Sequence, residues 1–165
     1  MTVPIETQVI FGIPLGYTKI PLEVCDEFKS LQGGEQFEEN KSDNFFDVLV
    51  DKPHLKKDLT DIFSIWIANI IGPKQKWVMT TNWITENTKG LPMKRHRHKN
   101  CSYSAVLYFD KIDKDHPPLM LCNPLQNVEG NMLVETDIES NLFTSGNYQA
   151  PFGEGTIIFF PAYLD

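Results

Sequence analysis

The chain has 165 residues, 41% of them apolar and 22% charged, which is one domain's worth of an ordinary globular protein with enough chain to bury a core. Its formal net charge of −7 excludes a general polyanion binder, leaving only a local basic patch to argue for one. No apolar run reaches transmembrane length, the N-terminus lacks the basic and apolar regions of a signal peptide, and three cysteines (Cys25, Cys101, Cys122) with no C-x-x-C pair read as free thiols of the cytoplasm.

In chain order, "TQVIFGIPLGYTKI" predicts an early strand with edge character, because Pro14 has no N–H to give a ladder. A short helix follows from Pro21 to about Leu31, with proline at its start and Gly33-Gly34 beyond its end. The polar stretch "GGEQFEENKSDN" reads as loop and "FFDVLV" as a short strand. The clearest helix begins near Asp51 and Pro53 and stops at Gly72-Pro73. Leu55, Leu59, Ile62, Phe63, Trp66, Ile67 and Ile70 recur along it at helical spacing and mark one buried stripe.

After Pro73 the period changes to two. "KWVMTTNWIT", "CSYSAVLYFD", "PLMLCNP", "NMLVE" and "GTIIFFP" read as strands set off by Gly, Pro, Asn and Asp turns. Helices first and antiparallel-type strands afterwards predict a mainly β (α+β) domain with helices laid on one sheet, and no repeat or linker divides it.

The stretch "KRHRHK" places Lys94, Arg95, Arg97 and Lys99 around His96 and His98. On a strand, i and i+2 share a face, so H-x-H can aim two imidazoles at one point, a two-ligand unit suited to Fe, Zn, Cu or Ni. Continued without a bulge, that parity puts Asn100, Ser102, Ser104, Val106 and Tyr108 on the histidine face. Cys101, Tyr103, Ala105, Leu107 and Phe109 fall on the other, ready to pack on the helix that carries Trp66. The competing reading, a polyanion patch, wants interleaved aromatics or a second basic cluster, and neither stands nearby, so no nucleic-acid partner is expected. His54, in the first turn of the long helix, and His116, in an acidic turn, read as ordinary surface and loop residues.

From Trp83 onward the pieces "NWITENTKG", "HRHKNCSYSAVLYF", "PLMLCNP" and "GEGTIIFFPAYL" follow one another in an order that resembles the small 2-oxoglutarate- and Fe(II)-dependent oxygenases of marine bacteria and their phages. "VIFGIPLGYTKI" fits that group's opening. The resemblance implies a double-stranded β-helix (jelly roll) with helices on the major sheet, spanning residues 1–165 as one domain. It implies iron held by His96 and His98, with 2-oxoglutarate as cosubstrate and coupled hydroxylation of a substrate left unspecified. Tyr108 matches a tyrosine that hydrogen-bonds the distal carboxylate of 2-oxoglutarate, and Ser104 would line the same pocket; Tyr108 reads equally well as a core aromatic whose hydroxyl finds a backbone partner.

Two departures from the family pattern shape the expectations. The second ligand is histidine where most relatives have a carboxylate. The third ligand, a histidine, and the basic anchor of 2-oxoglutarate would follow "FPAYLD", so that ligand is expected beyond Asp165, with the last strand or strands lacking and the enzyme inactive as it stands. Such an ending leaves a sheet edge open beside "TIIFFP", and a homodimer through that edge is expected. Two other readings stay open: a cupin-like ligand-binding module without catalysis, and a three-histidine oxygenase that does not use 2-oxoglutarate. Neither a membrane partner nor a particular substrate follows from the sequence.

Overall fold

The computed structural model describes residues 12–31, 47–85, 94–112, 116, 118–124 and 146–164. They form a small α+β structure with two helices, α1 (Leu22–Lys29) and α2 (Pro53–Ile71), and five strands. The strands are β1 (Gly16–Lys19), β2 (Tyr103–Tyr108), β3 (Met120–Cys122), β4 (Asn147–Gln149) and β5 (Thr156–Pro161). The order β1-β5-β2 makes one antiparallel sheet, and β3 and β4 pair antiparallel in a second.

Both helices fall where the sequence places them. Proline opens α2, where the first turn has N–H groups to spare, and Gly72 ends it at φ +90°, a backbone geometry that side chains resist. Leu55 and Ile67 are buried, and Leu59, Ile62, Phe63 and Trp66 pack beside them. Ile70 departs from the predicted stripe: it is 44% exposed. The interface of α2 with the sheet is aromatic. Trp66 stacks on Phe159 with centroids 5.5 Å apart, while Phe63 meets Trp77, Tyr103 and Phe159 at 5.2, 5.5 and 5.5 Å. Gly16 of β1 lies against the indole of Trp66, and a Cβ there would collide with the ring.

β5 is buried along its whole length because both of its faces are covered. Ile157 and Phe159 point to the helices, where they join Ile20, Cys25, Phe28, Leu49 and Leu55. Ile158 and Phe160 point the other way, into a second core with Leu121, Ala150 and Leu164, against which Val106, Tyr108 and Leu119 pack. Helices, the three-stranded sheet and the β3–β4 hairpin-like pair are therefore three layers around two cores.

The structure corrects three expectations and adds one strand. The open edge predicted beside "TIIFFP" is absent: β5 is paired with β1 on one side and β2 on the other, and among the described residues β1 and β2 are the outer strands. Residues 76–85 form no ladder. Trp77 and Met79 are partly buried while Val78 is 79% exposed, so the alternation is real, but it belongs to an extended segment laid on α2 rather than to a paired strand. Alternation reports one buried side and says nothing about a hydrogen-bonding partner. "FFDVLV" yields only an isolated parallel bridge, Asp47 to Asn82, followed by a turn. β4 ("NYQ") was not anticipated, being short and polar. The predicted strand "NMLVE" and loop "GGEQFEENKSDN" lie outside the described residues.

Candidate functional site

Residues 94–99 are not in a strand; β2 begins only at Tyr103, and Asn100 interrupts the chain between them with φ +61°. The strand parity that motivated pairing His96 with His98 therefore does not apply as stated. The two imidazoles nevertheless lie together, with ring centroids 5.2 Å apart and planes at 69°. His98 is half-buried, its ring 6.2 Å from that of Phe160 on β5 and 5.7 Å from that of Trp83. Phe160 belongs to the core that also holds Val106 and Tyr108, so the histidine pair stands on the side of the sheet away from the helices. Tyr103 points to the helices, with Phe63, Trp66 and Trp77, as the alternation along β2 requires.

The proton on His96 is assigned by its neighbour. Nδ1 lies 2.7 Å from the carbonyl oxygen of Lys94, which can only accept, so Nδ1 carries the hydrogen and, in the neutral ring, Nε2 is the nitrogen with the lone pair. This is the orientation that a backbone carbonyl imposes on ligating histidines in general. His98 is held below the usual histidine range, first by burial and then by the neighbouring His96. Both effects favour the neutral, ligating form. Among the described residues no group of three His, Cys, Asp or Glu converges on one point.

Tyr108 closes the other end of β2. Its hydroxyl accepts a hydrogen bond from the backbone N–H of Leu119 at 3.1 Å, and burial pushes its ionisation upward. Among the described residues no acceptor takes the phenol proton. His116, read from sequence as an ordinary loop residue, packs edge-on against the Tyr108 ring at 5.9 Å, and Phe152 lies 6.4 Å from it. Ser104 is half-buried, opposite Phe160 in the ladder, with its hydroxyl 3.8 Å from the Cys101 thiol. His54 is on the surface as predicted, its Nε2 2.8 Å from Glu27 Oε2.

Trp83 is the residue that sequence reasoning missed here, having been absorbed into a strand that does not form. It is 50% exposed beside His98, at the end of a segment fixed by Asn82. The Asn82 side chain donates to Asp47 Oδ1 at 2.7 Å and accepts from the Leu49 N–H at 3.0 Å. Lys56 donates to the other Asp47 oxygen, and this hydrogen bond, with that from Asn82, holds the carboxyl below its ordinary range. The sequence signal for Trp83 was the Asn-Trp pair itself.

All three cysteines are free thiols, and burial raises that of Cys25. Among the described residues no helix is long and apolar enough to cross a membrane. Compared with protein-family models, with curated proteins and with solved structures, the chain matches none.

Proposed function

We propose that the chain is a 2-oxoglutarate- and Fe(II)-dependent oxygenase of the hydroxylase type, built on a double-stranded β-helix, with His96 and His98 as two of its metal ligands. The observation that carries this reading is the pairing of the two imidazoles, with the His96 Nδ1–H committed to the Lys94 carbonyl and its Nε2 lone pair left over. The lowered proton affinity of His98 suits the same role, since a protonated imidazole cannot ligate. Two neutral imidazole donors fit Fe(II), which when bound would supply the O₂ chemistry of the reaction.

The chain's own contributions follow from where its groups stand. His96 and His98 would hold the metal at one end of β2. Tyr108, on the same face of the sheet, keeps a phenol proton that can be given to a carboxylate, because its oxygen already accepts from Leu119. Ser104, between them on β2, would offer a hydroxyl to the same ligand. Burial keeps Tyr108 protonated, so it serves as a donor at neutral pH. Two sheets facing each other across Leu121, Ile158 and Phe160 support the β-helix reading, and three free thiols support a cytoplasmic setting. A second copy adding to the main sheet would meet the outer edge of β1 or β2.

The test is an anaerobic titration with Fe(II) and 2-oxoglutarate, watching the visible charge-transfer band of the chelate. The band should form, disappear in His96→Ala and His98→Ala, and require more 2-oxoglutarate in Tyr108→Phe. Metal bound through the two histidines without any 2-oxoglutarate dependence would replace this reading with a three-histidine oxygenase or a non-catalytic, cupin-like module.

A further inference from the structure

A half-exposed tryptophan on a rigidly held segment offers a ready stacking face, an apolar ring with a polar edge. Trp83 is such a residue. Its backbone neighbour Asn82 is tied to Asp47 and Leu49, so the segment is fixed before any ligand arrives. One ring neighbour, His98, sits 5.7 Å away at an angle of 37°, and half of the Trp83 surface stays open. Immediately along the chain from that histidine pair stand Lys94 and Lys99, both exposed.

The charge there is opposite to that of the whole. In a chain of net charge −7, residues 94–99 carry four cationic side chains and no acidic one. Local positive potential beside an open aromatic face selects an anion with a flat ring: the ring stacks on the indole while the lysines meet the charge. A long polyanion is disfavoured, since the chain as a whole is acidic and no second basic cluster stands nearby in the sequence.

We propose that Trp83, with Lys94 and Lys99, forms a stacking platform at the histidine site for a small planar anion, an aromatic or heteroaromatic ring bearing a phosphate or carboxylate. That this anion is the substrate rests on His96 and His98 being the reaction centre; that it binds does not. Because the platform is preformed, binding needs no metal.

The experiment is calorimetric titration of the full chain with adenosine monophosphate, adenosine and inorganic phosphate, each with and without Fe(II). Adenosine monophosphate should bind at least about fivefold more tightly than either half of it, in line with one aromatic stack. The advantage should shrink with added salt. Trp83→Phe keeps a flat face and should retain binding, whereas Trp83→Leu keeps apolar bulk without a π-face and should lose it, with far-UV circular dichroism confirming that both fold. Lys94→Gln with Lys99→Gln should reduce binding of the monophosphate and leave that of adenosine unchanged. Equal binding of the monophosphate and inorganic phosphate, or an unaltered Trp83→Leu variant, would overturn the platform. The two proposals fail separately: metal binding through the histidines without adenosine monophosphate binding removes only the platform, and the converse removes only the metal site.

Discussion

The Asn82 side chain donates to Asp47 Oδ1 at 2.7 Å and, with its other end, accepts the N–H of Leu49 at 3.0 Å. One amide thereby replaces the strand pairing that residues 76–85 do not make, and it sets the chain one residue before Trp83. Asn82→Ala leaves the Leu49 N–H and the Asp47 oxygen without this partner in a partly buried place. The expected loss is about 1–3 kcal/mol of unfolding free energy, read by denaturant titration. Asn82→Asp restores the acceptor but sets a second carboxylate against Asp47, and should be no better. A change in Asn82→Ala within the error of the measurement would show that the clamp is ornamental.

Asp47 makes stability depend on acid. Lys56 and Asn82 both favour its charged form, so its folded pKa lies below the ordinary 3.8. A depressed carboxylate contributes fully above its unfolded pKa, and the contribution is lost as pH falls from there through the lower folded value. Melting temperature should therefore drop below about pH 4, and less steeply in Asp47→Asn, which starts from a lower plateau. Parallel curves for the two proteins across the acid range would contradict the assignment.

Gly16 is a packing position. A methyl group there meets the Trp66 indole, which is itself pinned against Phe159. Gly16→Ala should destabilise by about 1–3 kcal/mol, the usual range for an overfilled core. Combining it with Trp66→Leu, a smaller side chain, should cost less than the two single changes added together, since the clash disappears with the indole. Strict additivity in that double-mutant cycle would mean that the two residues do not press on each other.

His98 titrates in the opposite sense from a histidine that gains a partner. Burial and His96 hold its folded pKa below 6.5. Above that unfolded value the residue costs nothing. As pH falls below it, the unfolded chain takes up a proton that the folded one refuses until its own lower pKa, so stability declines across that window. His98→Phe should flatten the decline; divalent metal, which needs the imidazoles neutral, should steepen it, because metal affinity falls across the same range. Melting curves from pH 7.5 to 5 with and without Co(II), about an order of magnitude above the protein concentration, would read both, and a pH-independent difference between parent and variant would reject the shift.

The sequence by itself determined both helices, four of the five strands near their observed positions, and the face of β2 that meets α2. Apolar period, proline and glycine act within a few residues, so these features survive without knowledge of the rest of the chain. His96 and His98 were also singled out there, as two imidazoles two residues apart. What placed them together was something else. Asn100 breaks the strand on which the pairing was argued; His98 instead sits against Trp83 and against Phe160 of a strand much later in the chain, with His96 beside it. In the same way the apolar run "TIIFFP" could announce that it is buried but not that it is central, because which strands flank it depends on β1, about 140 residues earlier, closing the sheet on one side and β2 on the other. Burial is written locally in a sequence; partners are decided by the whole chain folding at once.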